Sequence, residues 1–418
     1  MRILYNFLIH GYGLVLRLPF ILNPKAKKWV QGRKKWPERL AAGVDPRHSW
    51  VWFHCASLGE FEQGRPLMEV IKKEYPNLRI LVTFFSPSGY EIRHNHPLPD
   101  HVAYLPLDTP RQVRNFLEIV RPVAAFFIKY ELWLNYLSEL YKRQVPTLLV
   151  SARVRENSSF FKSALAPAYK KAFRQFRAIF TQDQLSADLI KQFANPPMVA
   201  VSGDTRYDRV WATAKQFSEI PQVAQFKQGR TCLMAGSTWP KGEALVFEAY
   251  ETLLQKHDVC MVVAPHEIHQ NRIEKWMQKF PAESIRWSDI DQLNSQHKIL
   301  WIDNIGMLSR LYYYADIAYV GGGWGTGLHN ILEAAVFGAP VFFGPEHQKF
   351  PEASEMIREG AAFSIDSSVV FQEKLTELLN SPPLLASYNQ QNRLFVEQRK
   401  GATEIILSWI KQEGLICP

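Results

Sequence analysis

Cysteine is scarce in this chain. The four residues Cys55, Cys232, Cys260 and Cys417 lie far apart without paired spacing, and Cys55 and Cys260 sit inside apolar runs. That excludes a disulfide framework and a cysteine-built zinc site, and it suits reduced thiols in a cytosolic protein. No Gly-x-Ser-x-Gly, no P-loop and no clustered Cys/His set is present, so covalent hydrolase and ATPase chemistry have no motif to rest on. Short repeats and low-complexity tracts are absent as well. Acid is almost missing from one end. Residues 1–40 hold nine Lys and Arg against the single acid Glu38, a net +8 that leaves only +1 of the total +9 for the other 378 residues. A basic face spread over the folded domains is therefore not available, which argues against a nucleic-acid partner.

What is present is a soluble globular composition, 47% hydrophobic and 21% charged, in a chain of 418 residues that is long enough for two domains. The basic N-terminus is apolar first: "ILYNFLIHGYGLVLRLPFIL" spans residues 3–22. Its length fits a membrane span, but Asn6, His10, Gly11, Gly13 and Arg17 interrupt it. No small-residue cleavage site follows, so it does not read as a signal peptide. An apolar stretch followed by a basic cluster fits a membrane anchor with the rest of the chain on the cytoplasmic side. A helix lying in the interface fits too, and the plain alternative is a core helix followed by a basic loop.

From Trp50 onward, apolar strands alternate with helical spacing. "WVWFHC" (50–55), "RILVTFF" (79–85), "VAYLPL" (102–107), "VAAFFI" (123–128), "TLLVSA" (147–152), "AIFTQ" (178–182) and "MVAVSG" (198–203) form one series. A polar, weakly patterned stretch at 206–229 separates it from a second. That series holds "TCLMAGS" (231–237), "VCMVVAP" (259–265), "KILWID" (298–303), "IAYVGGG" (317–323) and "APVFFG" (339–344). A helix is expected over 329–337, and a long helical stretch over 385–413. Continuous apolar strands between helices predict parallel sheets covered on both faces. The expected fold class is α/β, with two doubly wound, Rossmann-like domains facing a cleft and ligands at the carboxyl ends of the strands.

Five stretches could carry chemistry. In "HCASLGE" (54–60), a strand ends in a small polar loop and Glu60 stands at the mouth of a helix. It could cap that helix with Ser57, or it could be a base. In "IKYELWLN" (128–135), Glu131 follows a buried strand, and Lys129 is placed to pair with it. "AGSTWPKGE" (235–243) ends a strand at Gly236, and Ser237 and Thr238 can cap a helix or hold a phosphate. "VVAPHEIH" (262–269) offers His266 and His269, a weak metal pair with no further ligands in view. The richest stretch is "YVGGGWGTGLHNILEAAVFG" (319–338). Three glycines, Gly321 to Gly323, lead to His329, Asn330 and Glu333 at a predicted helix start. Glycines let a backbone approach a phosphate, helix N–H groups hold it, and a carboxylate can accept ribose hydroxyls. The dinucleotide fingerprint is not met, because the third glycine position falls on Thr326. Asp289 and Asp291 form a D-x-D, but in a polar connection with no strand leading into it.

Together these stretches resemble the 3-deoxy-D-manno-octulosonic acid (Kdo) transferases of lipopolysaccharide synthesis, a group of GT-B glycosyltransferases. "HCASLGE" is similar to the family's H-A-S-x-G-E, and "YELWLN" (130–135) to its E-L-W-P-N. "SARVRENS" (151–158), "SGDTRYD" (202–208) and "AGSTWPKGE" resemble its A-R-L-S, G-N-x-K-F-D and A-G-S-T-H-x-G-E. "DNIGMLSRLYYYADIAYVGGG" (303–323) and "GLHNILEAA" (327–335) continue the match, so that it covers most of the chain. There are departures. Leu134, Ile331 and Ala334 stand where the family has proline, Met307 replaces an acid, and "APHEI" (264–268) replaces R-H-P-E-R, losing an arginine.

The resemblance implies CMP-β-Kdo as donor, a lipid A precursor as acceptor and inversion at the anomeric carbon. It implies no metal and no separate cofactor. Glu60 would be the general base and Glu131 a second catalytic carboxylate. Ser57, Gly59 and Arg153 would serve the acceptor or the Kdo carboxylate. The donor would lie on Ser237, Thr238, Pro265, His266, Gly306, Met307, Leu308, Gly322, Gly323, His329, Asn330, Ile331, Leu332 and Glu333. The implied organisation is a membrane-associating segment at 1–40, an acceptor domain at 41–210, a CMP-Kdo domain at 225–385 and a helix at 386–418 that returns to the first domain. The place of work would be the cytoplasmic face of the inner membrane, with residues 1–40 on the membrane surface and no nucleic acid involved. The alternatives are a GT-B enzyme of a UDP-sugar, such as a lipid A disaccharide synthase or an epimerase, and a non-catalytic GT-B membrane tether.

Overall fold

The computed structural model describes residues 1–16, 23–254 and 256–416. Residues 17–22 of the apolar N-terminal run, Arg17 among them, and Cys417 lie outside the described residues. The chain packs as two units, Met1–Arg209 with Lys400–Pro418, and Val210–Arg399.

The first unit is built on β1 (Trp50–Cys55), β2 (Arg79–Phe84), β3 (His101–Tyr104), β4 (Ala124–Ile128), β5 (Thr147–Ala152), β6 (Ala178–Thr181) and β7 (Val199–Val201). All pair in parallel, in the order β3-β2-β1-β4-β5-β6-β7. The central strands are largely apolar because both faces are covered. Along β1, Trp50 and Trp52 turn to one layer, while Val51, Phe53 and Cys55 turn to the other. Trp52 packs against Phe116 and Phe127 at 4.8 and 5.2 Å, and Phe53 stacks on Phe126 at 4.6 Å. The winding starts at β1, runs outward to β3, then returns to the other side of β1 with β4. The strand order therefore reverses between β1 and β4.

The second unit repeats the plan with β8 (Thr231–Thr238), β9 (Val259–Pro265), β10 (Ser284–Arg286), β11 (Ile299–Trp301), β12 (Ile317–Val320), β13 (Val341–Phe343) and β14 (Ala362–Ser364). Its order is β10-β11-β9-β8-β12-β13-β14, again all parallel, and the reversal falls between β8 and β12. The expected α/β class with two doubly wound sheets holds. Cys55, Cys232 and Cys260 are buried free thiols, with Cys232 opposite Cys260 on neighbouring strands.

Three expectations need correction. The stretch 206–229 is not loosely structured, because it carries the helices Thr205–Lys215 and Pro221–Lys227. The long C-terminal helix is two helices, Pro382–Glu397 and Ala402–Gln412, broken at Gly401 where φ is +114°. The second buries Ile406, Leu407 and Ile410 in the core of the first unit. Asp208 caps it, accepting from the N–H of Gly401 at 2.5 Å and from the N–H and hydroxyl of Thr403 at 2.8 Å. The helix expected at 329 begins only at Leu332 and makes a single turn to Ala335.

The N-terminal segment forms a helix, Arg2–Val15. No helix among the described residues is long and apolar enough to cross a membrane. One face is tied down. Tyr5 is buried and donates to Asp108 Oδ2 at 2.6 Å, while Asn135 Nδ2 donates to Asn6 Oδ1 at 2.8 Å. Asp108 also accepts the N–H groups of Asn135 and Tyr136, yet complete burial pushes its carboxyl up to about 6. The other face leaves Ile3, Phe7, Leu8, Leu14 and Val15 exposed. Not every cation in the basic run is at the surface. Arg33 is caged by Trp29, Phe85 and Tyr104, at 4.0, 4.8 and 5.0 Å from the ring centres, and donates to the carbonyls of Trp29, Phe85 and Leu105.

Candidate functional site

In the first unit, both candidate carboxylates follow the two strands that flank the reversal. Glu60 comes after β1 and Glu131 after β4. A crevice outside the strand ends at such a reversal is where open α/β sheets bind ligands.

Glu60 is buried at the start of the helix Leu58–Glu74, in a capping box with Ser57. Its Oε2 accepts the Ser57 N–H at 2.8 Å and the Ser57 hydroxyl. Capping is thus one real role of this residue. Oε1 takes no hydrogen bond among the described residues. Gly59 is exposed, and a Cβ there would meet nothing nearer than Ser57 Oγ at 3.8 Å. The fold itself does not demand a glycine at that point.

Glu131 does not pair with Lys129, whose ammonium lies 5.3 Å from the centre of the Tyr130 ring. Its partners come from elsewhere in the sheet. Trp133 Nε1 lies 2.9 Å from Glu131 Oε2 and 3.0 Å from His54 Nε2, and His54 Nε2 is 3.5 Å from the same carboxylate oxygen. His54 is fully buried, and its Nδ1 meets Thr83 Oγ1 at 2.9 Å. Trp52 Nε1 donates to that hydroxyl at 2.8 Å. Lys129 itself has φ +74°, a left-handed backbone that a non-glycine residue adopts only under surrounding constraint. Arg153 stands apart from this group, with Nε 3.4 Å from Asp183, the residue that caps the helix Gln184–Ala194.

In the second unit the candidates again gather at strand ends. Ser237 and Thr238 end β8, Pro265 ends β9 with His266 just after it, Gly306 to Leu308 follow β11, and Gly322 and Gly323 follow β12. These are four adjacent strands, spanning the reversal. Ser237 sits in a register shift between β8 and β9 with φ +50°. A Cβ on Gly321 would collide with the Ser237 carbonyl, and one on Gly322 with the Gly327 carbonyl. The glycines therefore serve first to let the chain pack on its own backbone. Thr238 turns its hydroxyl inward, donating to the buried Glu243 at 2.7 Å.

With only one helical turn after Ile331, the expected helix dipole is small. The loop uses much of its own donor capacity. Gly321, Gly323 and His329 donate to backbone carbonyls, and Leu332 donates to Asn330 Oδ1. Among the described residues, the N–H groups of Gly322, Asn330 and Ile331 make no hydrogen bond. Asn330 Nδ2 donates to Glu333 Oε1 at 3.1 Å. Gly306 (φ +98°) is exposed beside Met307, whose sulfur accepts from Asn304 at 2.9 Å.

His266 and His269 do not act together. His269 meets Glu267 at 3.1 Å, whereas His266 lies between Trp239 and His329, with ring centres 4.5 and 4.4 Å away. Trp239 Nε1 donates to His329 Nε2 at 3.2 Å. An indole N–H can only donate, so His329 carries its proton on Nδ1. Burial, with the neighbouring His266, pushes His329 down to about 4, so it is neutral near pH 7. The D-x-D pair, Asp289 and Asp291, lies in the short 3₁₀ turn Trp287–Gln292.

Sequence reading missed His54, Thr83, Trp133 and Trp239. Their partners come from different strands and loops, and no spacing along the chain encodes that. One signal was available: Trp239 stands where the resembled motif has histidine.

Two parallel sheets, each with a strand-order reversal, define a GT-B fold. Solved structures agree on the fold. UDP-GlcNAc 2-epimerase from Neisseria meningitidis superposes with a TM-score of 0.61 at 13% identity, covering 87% of this chain and all of that one. MurG from Acinetobacter baumannii gives 0.54 at 12%, covering 87% and 99%. The sequence profile described as 3-Deoxy-D-manno-octulosonic-acid transferase (kdotransferase) matches residues 34–209. The 3-deoxy-D-manno-octulosonic acid transferase of Haemophilus influenzae is 27% identical over 88% of this chain and 87% of its own length. That of Chlamydophila psittaci is 28% identical over 96% and 90%. Residues 34–209 thus carry a Kdo transferase domain, and most of the chain is similar to Kdo transferases, which are glycosyltransferases.

The histidine pair gives a direct test. Replacing His266 with Ala removes part of the cover over His329 and the electrostatic influence of the neighbouring ring, so the His329 titration, followed by NMR of its ring, rises from about 4 towards 6.5. An unchanged or lower value would contradict the stacked arrangement. In the intact protein this histidine's contribution to stability falls as pH drops from 6.5 to about 4, because over that range the unfolded chain binds a proton that the folded one refuses.

Proposed function

We propose that this chain transfers Kdo from CMP-β-Kdo to a lipid A precursor with inversion, by a single displacement without a metal. The observation that carries the reading is the placement of Glu60 and Glu131 just after the two strands that flank the reversal of the first sheet, in a chain whose residues 34–209 match the Kdo transferase profile. A single displacement needs one base to take the acceptor hydroxyl's proton as its oxygen attacks the anomeric carbon. Glu60 is that base: Ser57 fixes Oε2, which leaves Oε1 to receive the proton. The CMP phosphate leaves as the bond to Kdo breaks. Its charge is met by the N–H groups of Gly322, Asn330 and Ile331 and by the Nδ1–H of neutral His329. The cytidine ribose lies against Glu333, and Arg153 or Glu131 reads the acceptor or the Kdo carboxylate.

One observation favours a second assignment within the same reaction. Glu60 is largely committed to its cap, while Glu131 is held by side chains alone and is the more exposed of the two. In that reading Glu131 is the base and Glu60 shapes the loop. Glutamine separates the two. It keeps the capping geometry, worth about 1 kcal/mol, but cannot take a proton. Glu60→Gln is expected to lower kcat by roughly 10²–10⁴-fold with CMP affinity unchanged. If Glu60→Gln transfers at the wild-type rate and Glu131→Gln does not, the base is Glu131.

The exposed apolar face of Arg2–Val15 and the cations near it are proposed to hold the enzyme on the cytoplasmic face of the inner membrane. The full chain is expected to bind anionic phospholipid vesicles, less as salt rises, with Phe7→Glu weakening binding. Binding that ignores both salt and Phe7 would refute this docking mode.

A further inference from the structure

Membrane docking asks only for the apolar outer face of the helix Arg2–Val15. Its inner face is more specific than an anchor needs. Arg2, Tyr5, Asn6 and Tyr12 share that face by helical spacing, and their contacts run to the segment that follows Glu131. Gly13 lets the helix lie close, because a Cβ there would come within 2.5 Å of Leu107.

The helix Leu134–Lys142 begins three residues after Glu131. Its first N–H groups have no partner within the helix, and Trp133, at the cap position, offers no side-chain acceptor. Asp108 caps it from a distance, accepting the N–H of Asn135 at 3.0 Å and that of Tyr136 at 2.9 Å. The Tyr5 hydroxyl is the third donor to this carboxylate, at 2.6 Å. The buried Asn135 side chain accepts from Arg2 Nε at 3.2 Å and donates to Asn6 Oδ1 at 2.8 Å. A second line of contact runs through rings. Tyr12 stacks on Phe85 with centres 6.1 Å apart, and Phe85 lies 4.7 Å from Trp133. The Trp133 indole N–H is the group that reaches Glu131 Oε2 at 2.9 Å.

We infer that the helix Arg2–Val15 positions Glu131: Tyr5 and Asn6 act through Asp108 and Asn135 to fix where the helix Leu134–Lys142 starts, and so where the Trp133 indole holds the carboxylate. The inference rests on the reading above that Glu131 contacts substrate. It adds that the membrane-facing segment is also part of the frame of the site. A tether alone would be better served by apolar contacts, because a fully buried carboxylate such as Asp108 is costly unless hydrogen-bonded. Three donors on Asp108 instead fix a backbone position, which apolar packing does less exactly.

The test uses the full-length chain and a lipid A precursor dispersed in detergent, so that membrane attachment does not limit the rate. Tyr5→Phe, which removes one hydroxyl, and Asn6→Ala are each expected to lower kcat by about 10–10²-fold. The KM for CMP-Kdo, CMP affinity and binding to anionic vesicles stay constant, because the other unit and the outer face of the helix are untouched. A purely structural loss would lower thermal stability but leave the kcat of the folded protein unchanged. If one variant loses CMP affinity it has not folded, and the other decides.

Amide hydrogen exchange gives an arm independent of activity. The N–H groups of Asn135 and Tyr136 are expected to exchange faster in Tyr5→Phe, while those of β4 stay protected. Wild-type kcat in both variants, or unchanged exchange at Asn135 and Tyr136, overturns the inference. Weaker vesicle binding with wild-type kcat on the dispersed acceptor overturns it too, and leaves the helix as an anchor only. If Glu131→Gln is impaired while the helix variants are not, the role of Glu131 stands and its positioning by the helix is wrong. If Glu131→Gln itself has wild-type kcat, the underlying reading fails, whatever Tyr5→Phe shows.

Discussion

The reversal of strand order in each parallel sheet is the constraint on which the rest depends. A right-handed crossover can lay a new strand on either side of the first one. Once the chain has wound outward through β2 and β3 and then returned to β4, the loops after β1 and β4 run to opposite faces and leave a crevice between them. Glu60 and Glu131 occupy those two loops. The same geometry in the second sheet places the end of β8 beside the glycines that follow β12. Backbone packs so closely there that no Cβ fits at Gly321 or Gly322.

Around these two points the chain places polar side chains inside an apolar frame and satisfies them in sequence. Trp52, Thr83 and His54 form one such chain behind Glu131, and Trp239, His266 and His329 form another beside the glycine cradle. The two differ in what they achieve. The first backs the Trp133 indole that donates to Glu131, while the second keeps a histidine neutral and sets which nitrogen holds its proton. In both, a tryptophan N–H that can only donate decides the proton position on a nearby histidine or on its partner. The departure from family pattern at Trp239 falls on such a residue.

Much of the fold was legible because its strands are buried on both faces. A run such as "WVWFHC" has no polar alternation, and its length and flanks mark it as a central parallel strand. Helix ends were harder to read. "NILEAAVF" continues an apolar helical pattern, yet the tight turn from Gly321 to Asn330 allows only one helical turn before Gly338 reverses the chain. The break at Gly401 was hidden because the helices on either side both have helical periodicity, and only the Asp208 cap fixes where the second begins. At the site, Glu60, Glu131, His329 and Asn330 were readable as polar residues at strand ends. The inward turn of Thr238 and the partners of His54 were not. Those depend on which strands are neighbours, and local spacing does not carry that information.

The central claim is the transfer of Kdo from a CMP-activated donor to a lipid-linked acceptor. It is tested most directly by incubating the chain with CMP-Kdo, generated in place because the donor is short-lived, and a lipid A precursor, then weighing the lipid product. The account predicts a precursor heavier by one or more Kdo residues and no product when a UDP-sugar replaces the donor. An unchanged lipid with CMP-Kdo, or a product formed only from a UDP-sugar, would contradict it.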